Sequence, residues 1–306
     1  VEDVEGVTGY RDGTVGANHQ RILIGVDSGN DSEISTWTIS DFDGVGVAAD
    51  GINDGEFTRG GETFNFTNFN TFVGHDNNDQ FIISGAGRLT GGVIGGGGTN
   101  TLNASTLTDS LSAELTNATR ADLLEINPTD GIVQMSGIST VTGSASFANT
   151  LYGFAETANL WTIDAPNAGA VETVAFNNFA NLVGGSGQDA FTFATATSLS
   201  GIIDGNGGAL DSIDANALND NQIVILGTST PGNILPTLRV ANVESIALDG
   251  SGNQLIADVT NNTWAFTGTD QGSISRTGAV SADTTVTFTG FGTLRGNTGN
   301  DDFRFD

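Results

Sequence analysis

The 306-residue sequence predicts an all-β fold: a parallel β-helix or β-solenoid built from tandem modules of about 110 residues. Three observations lead there. Apolar residues alternate with polar ones in runs of strand length. Three Phe-rich segments align without gaps. Glycine corners recur at a spacing that suits one turn of a solenoid.

The strands come first. "RILIGV", "FTFAT", "QIVIL", "SIALD" and "TVTFTGF" are short, β-branched or aromatic, and bounded by Gly, Asn, Asp or Ser, which is strand punctuation. Only "TLTDSLSAELTNATRADLLEI", residues 106–126, has room for helical turns, with "ADLLEI" the best piece of it.

The repeats come next. "FTNFNTFVGHDNNDQFII" from Phe66, "FNNFANLVGGSGQDAFTF" from Phe176 and "FTGFGTLRGNTGNDDFRF" from Phe288 share the frame F-x-x-F-x-x-h-x-G-x-x-x-x-D-x-F, h being apolar. The intervals are 176 − 66 = 110 and 288 − 176 = 112. Trp37, Trp161 and Trp264 precede the three frames, and "VEGV", "ISTV" and "VESI" precede the tryptophans. These landmarks divide the chain into modules at 1–104, 105–214 and 215–306, the last truncated, in one continuous solenoid. An opening Val1 without a signal-like stretch, and a stop at "FRFD" partway through a module, make a piece of a longer protein the expectation.

The corners decide between architectures. Gly74 and Gly95 are 21 apart, as are Gly184 and Gly205. About 20 residues is what one β-helix turn consumes, and Asn and Gly tolerate the left-handed backbone of its corners. Tandem β-sandwiches of about 100 residues are the alternative that the module length allows.

Composition narrows function. Nine Arg, no Lys and 36 acidic residues give a net charge of −27. Such a surface repels nucleic acid and anionic membranes and attracts cations. The absence of Cys excludes disulfides, thiol catalysis and cysteine-ligated zinc. No apolar run reaches the roughly 18 residues of a membrane-spanning helix. His19 and His75 are the only histidines, neither recurs between modules, and no nucleophile elbow, zinc helix or phosphate loop is present. Acid pairs such as Asp54/Glu56 and Asp301/Asp302 are common by chance among 36 acids. A repetitive array lacks the single unique constellation of an active site, so no enzyme is expected.

The aromatic frame residues Phe66, Phe69, Phe81, Phe176, Phe179, Phe191, Phe288, Phe291 and Phe303 are expected to stack inward as a core ladder. Trp37, Trp161 and Trp264 follow polar residues, as in "NNTW", which places them at a rim as candidate carbohydrate contacts.

"GGSGQDAFT", Gly184–Thr192, matches G-G-x-G-x-D-x-U-x at every fixed position and resembles the haemolysin-type calcium-binding nonapeptide. The resemblance implies that Gly184, Gly185, Gly187 and Asp189 bind calcium, with Asp204 and Asp211 of the next coil facing Asp189. It extends to Asp79, with Gly74 kept and His75 and Asn77 at other glycine positions. It extends also to Asp301, with Gly296 and Gly299 kept and Asn297 at the second. Asn100 stands where a further Asp is wanted. True calcium rolls run such nonapeptides back to back; here each is isolated. The other reading is a structural glycine corner with a solvated Asp.

The combined frame is similar to the tandem repeats of giant bacterial surface and secreted proteins, the filamentous-haemagglutinin-like adhesins. That resemblance implies an extracellular or cell-surface location and a non-enzymatic stalk, sheath or filament rigidified by calcium. It implies end-to-end partners of the same kind and no nucleic acid or membrane insertion. A carbohydrate- or surface-binding adhesin module is the alternative, and a polysaccharide-processing β-helix the third reading.

Overall fold

The computed structural model describes residues 7–11, 21–25, 34–40, 55–59, 62–66, 69, 71–89, 91–116, 132–145, 148–227, 238–257, 261–277, 285–296 and 300–305. Among them there is no helix. The strands belong to two large, mostly parallel sheets, consistent with the β-solenoid class. Parallel pairing departs from the antiparallel sandwich alternative. The 106–116 part of the helical segment is turns and a strand, Ser112–Leu115, whose side chains alternate between half-buried and buried. "ADLLEI" lies outside the described residues.

In chain order the first strands are β1 (Val7–Arg11), β2 (Arg21–Gly25), β3 (Ser35–Ile39), β4 (Gly55–Arg59), β5 (Glu62–Phe66), β6 (Thr71–Val73), β7 (Asp79–Ile83), β8 (Gly92–Ile94), β9 (Thr101–Asn103), β10 (Ser112–Leu115), β11 (Ile132–Ser136), β12 (Thr140–Thr142) and β13 (Asn149–Tyr152). Then follow β14 (Leu160–Ala165), β15 (Ala168–Val171), β16 (Val174–Asn177), β17 (Phe179–Val183), β18 (Ala190–Phe193), β19 (Ile202–Asp204), β20 (Ser212–Asp214), β21 (Ile223–Leu226) and β22 (Leu238–Ala241). The last are β23 (Ser245–Ala247), β24 (Gln254–Ile256), β25 (Asn261–Gly268), β26 (Gln271–Thr277), β27 (Thr285–Thr289), β28 (Thr293–Arg295) and β29 (Asp301–Phe305).

The chain divides into two compact units, Val1–Leu151 with Thr173–Asn178, and Tyr152–Glu172 with Phe179–Asp306. In the first unit the strand orders are β1-β2-β6-β8-β11-β10-β13 and β16-β12-β9-β7-β3-β4-β5. In the second they are β17-β19-β22-β21-β24-β28 and β29-β25-β26-β27-β23-β20-β18-β14-β15. Strands adjacent in sequence mostly fall in different sheets, so in-sheet neighbours come from later passes of the chain. The antiparallel exceptions are β1–β2 and the hairpins after each Trp strand, β3–β4–β5, β14–β15 and β25–β26–β27, while β10–β11 and β21–β22 are sequence neighbours that pair in parallel.

Alternation sets which side chains enter the core. β3 and β7 read buried, half-buried, buried in strict order. Parallel, in-register pairing then brings like residues together. Trp37 lies opposite Phe81, Trp161 opposite Phe191 and Trp264 opposite Phe303. The ring centroids are 6.0, 5.4 and 5.6 Å apart and the planes within 16° of parallel. All three tryptophans are at most 1 % exposed, which corrects their placement at a rim. Polar neighbours are no sign of exposure here, because Ser35, Asn159 and Asn262, two positions before each Trp, are themselves buried. Phe66, Phe81, Phe176, Phe179, Phe191, Phe288 and Phe291 are buried, Phe69 is half-buried, and Phe303, on an edge strand, is 40 % exposed.

Candidate functional site

Several parallel strands begin from a corner that carries a polar residue two positions before an inward apolar one. Asp79 precedes Phe81, Asn100 precedes Leu102, Asp189 precedes Phe191, Asp211 precedes Ile213 and Asn253 precedes Leu255. Asn159 and Asn262 stand in the same relation to Trp161 and Trp264. All seven polar residues are buried, so each must find its hydrogen bonds inside the protein.

They find them in the neighbouring strand and in their own turn. The Asp189 backbone N–H donates to Asp211 Oδ1 at 2.7 Å, and the Asp211 N–H donates to Glu244 Oε2 at 2.6 Å. The Asn159 N–H in turn donates to Asp189 Oδ1 at 2.7 Å. The result is a ladder Asn159–Asp189–Asp211–Glu244, each side chain accepting the backbone N–H of the rung before it. The same link joins Asp79 N–H to Asn100 Oδ1 at 2.8 Å, Leu111 N–H to Asn149 Oδ1 at 2.7 Å and Gln222 N–H to Asn253 Oδ1 at 2.9 Å.

The glycine that opens the corner provides the space. A Cβ on Gly74, Gly184 or Gly296 would fall on the Oδ2 of Asp79, Asp189 or Asp301. That is why the first glycine and the Asp recur together in all three frames while the other glycines do not.

Asp189 is 0 % exposed, so it is not the solvated corner acid of the simpler sequence reading. Its Oδ2 accepts the Gly185 N–H at 2.7 Å, and its Oδ1 accepts Asn159 Nδ2 at 2.6 Å besides the Asn159 N–H. Burial pushes the Asp189 carboxyl above its ordinary value near 3.8, against the pull of these donors.

The other residues of the sequence-based metal set scatter. Asp204 is half-buried and accepts from the Asn206 N–H and from Asn242 Nδ2, both on its Oδ1, at 2.8 and 2.7 Å. It does not join Asp189 in that set of bonds, whereas Asp211 does. Asp79 Oδ2 accepts the His75 N–H at 2.9 Å, and Asp301 Oδ1 accepts Asn262 Nδ2 at 2.6 Å. Gly185 and Gly187 pack against backbone of the 154–158 turn. Asn297 and Gly299 lie outside the described residues, as do His19 and Asp54. Among the described residues no three His, Cys, Asp or Glu come together as a metal-holding group. Asp302, one of the acid pair at 301–302, is engaged by Arg304 Nη2 at 2.8 Å.

The residues that sequence reading missed are the amide rungs Asn149, Asn159, Asn253 and Asn262 and the acid Glu244. The signal for them was present: each is a polar residue two before an inward apolar residue of a strand.

Searches against family models, curated proteins and solved structures found no match to this chain.

Proposed function

We propose that the chain is a non-enzymatic structural repeat, a stalk, sheath or filament segment of an extracellular bacterial surface protein, built as a solenoid of tandem modules. The observation that supports this reading is the buried rung. At six places one pass of the chain binds the next through the same backbone-to-side-chain bond, a device that serves extension rather than a single pocket. The resemblance to adhesin repeats supplies the location. Labelling of intact producing cells with an antibody to this chain tests it: surface labelling is expected, and label appearing only after lysis overturns the reading.

The second reading, a carbohydrate- or surface-binding module, is favoured by one face of the first unit. Across β5, β4, β3, β7, β9, β12 and β16, register places Thr63, Thr58, Thr36, Gln80, Thr101, Thr140 and Ala175 in one outward row. The next row is Asn65, Glu56, Thr38, Ile82, Asn103, Thr142 and Asn177. In a chain of net charge −27, Glu56 is the one charged member of these rows. Hydroxyls and amides at regular strand spacing suit a neutral polysaccharide, now without any part for the buried tryptophans. Binding of a neutral glycan that is lost in a Thr36→Ala, Thr101→Ala, Thr140→Ala chain would favour this reading; an empty glycan array would remove it.

A further inference from the structure

Calcium takes about six to eight oxygen ligands, so a calcium corner must turn oxygens inward. At Asp189 the groups turned inward are donors. Gly185 N–H faces Oδ2, while Asn159 N–H and Asn159 Nδ2 both face Oδ1. A cation placed on that carboxylate would displace these hydrogens and sit against their positive partial charge.

The corners with an amide rung show the complementary arrangement. Asn159 Nδ2 also reaches the carbonyls of Phe154 and Thr157, at 3.2 and 3.1 Å. Asn100 Nδ2 donates to Gly97 O at 2.8 Å and to Gly137 O at 2.9 Å. Asn149 Nδ2 donates to Ser144 O and Asn178 O, and Asn253 Nδ2 to Asp249 O and Gly290 O. One acceptor in each of the last three corners belongs to the neighbouring pass, at Gly137, Asn178 or Gly290. Those residues have φ of 64°, 61° and 82°, the left-handed conformation. At the Asp rungs Asp79 and Asp189 the turn offers an N–H four residues back, from His75 and Gly185. Where the rung is Asn, the turn offers a carbonyl. Side chain and turn are matched in donor and acceptor at Asp79, Asn100, Asn149, Asn159, Asp189 and Asn253.

We propose that the nonapeptide-like corners of this chain are metal-free locks, in which the side-chain amide nitrogens of Asn100, Asn149, Asn159 and Asn253 hold the turn carbonyls that a cation would gather. The residues present do not fit calcium, and the chain folds and keeps its stability without it. The haemolysin-type sequence at Gly184–Thr192 is then a consequence of seating a buried Asp beside a glycine.

Thermal unfolding by circular dichroism in EGTA and in excess calcium tests this, with equal magnesium subtracting the screening of the net charge of −27. The lock expects a folded chain in EGTA and a calcium-minus-magnesium shift in Tm below about 1 °C, since a ligand that does not bind the folded state cannot stabilise it. A saturable, calcium-specific rise of several degrees overturns it. Asn159→Asp provides the second arm, because it exchanges the donor at Asp189 Oδ1 for another acceptor. Its Tm is expected to fall in EGTA. An Asn159→Asp chain that melts with the wild type in EGTA overturns the lock, since no donor was then needed at that point.

Discussion

Replacing Asp189 separates the hydrogen-bond role of the corner from its shape. Asp189→Asn keeps the shape. With its oxygen toward Asn159 it retains two bonds, but its NH2 then faces the Gly185 N–H, donor against donor, across the 2.7 Å now spanned by a hydrogen bond. One buried N–H left without an acceptor costs about 1–3 kcal/mol. The relief of burying a neutral rather than a charged group offsets part of this. We therefore expect a net loss of roughly 1–2 kcal/mol, from the same unsatisfied-donor cost. Asp189→Ala removes the acceptor of all three N–H groups and leaves a void, for roughly 3–5 kcal/mol on that scale. Urea unfolding followed by tryptophan emission measures both, because Trp161 lies one strand away, stacked on Phe191. The control is Asp214→Asn, an exposed strand-end acid, which is expected to leave the midpoint unchanged. The reasoning is refuted if Asp189→Asn matches the wild type, or if it is the more damaging of the two.

Other perturbations bear on the same corner and on the core. Gly184→Ala drives a Cβ onto Asp189 Oδ2 and to 2.7 Å from Gly205 O, whereas Gly207 has open space around it. Chemical denaturation is expected to show a loss of about 1–3 kcal/mol for Gly184→Ala and next to none for Gly207→Ala. The raised Asp189 carboxyl gives a pH signature. Above its ordinary value the folded state holds a proton that the unfolded chain has released, so its contribution is present at low pH and lost as pH rises through the folded value. Denaturation at two pH values should show the wild type's advantage over Asp189→Asn shrinking from acid to neutral pH; a widening gap would contradict this. Trp161→Ala, at a site 1 % exposed, is expected to cost about 3–5 kcal/mol by equilibrium unfolding. In the wild type, iodide should leave tryptophan emission nearly unquenched, and strong quenching would contradict the burial of all three rings.

Much of the strand content was legible because a period of two is written directly in the side chains. "RILIGV", "QIVIL" and "TVTFTGF" contain β2, β21 and β27 nearly end to end. The 21-residue spacing of glycine corners was legible for a related reason: Gly74 N–H donates to Ile94 O and Gly184 N–H to Asp204 O, so successive corners lie against each other. The tryptophans were misread because composition near a residue was taken for its environment. Asn262 is itself 3 % exposed and sits just before Trp264 on the same strand. The corner acid is buried rather than solvated because a glycine without a Cβ leaves room for its carboxylate. Which groups then face that carboxylate depends on peptide orientation, and peptide orientation is not visible in residue types alone. The amide rungs were hidden for the opposite reason: Asn is so common in turns that no single copy stood out.

The hairpin that follows each Trp strand has a consequence for the order of folding. Most parallel passes must wait for a distant partner, as Ala190 does for Ser212 and Ile22 for Thr71, and such distant pairing is slow to nucleate. The hairpins at Trp161 and Trp264 need no such wait. Trp161 faces Val171 through a turn containing Pro166 and the left-handed Asn167, and Trp264 faces Ile274 across a turn at Asp270. Each closes within about a dozen residues, a microsecond event once its chain is available. Trp37 faces Phe57 twenty residues on, and there the local closure is the next turn, where β4 and β5 pair Phe57 with Phe64. On a chain that becomes available gradually, each of these hairpins offers the next parallel strand a finished edge on which to zip.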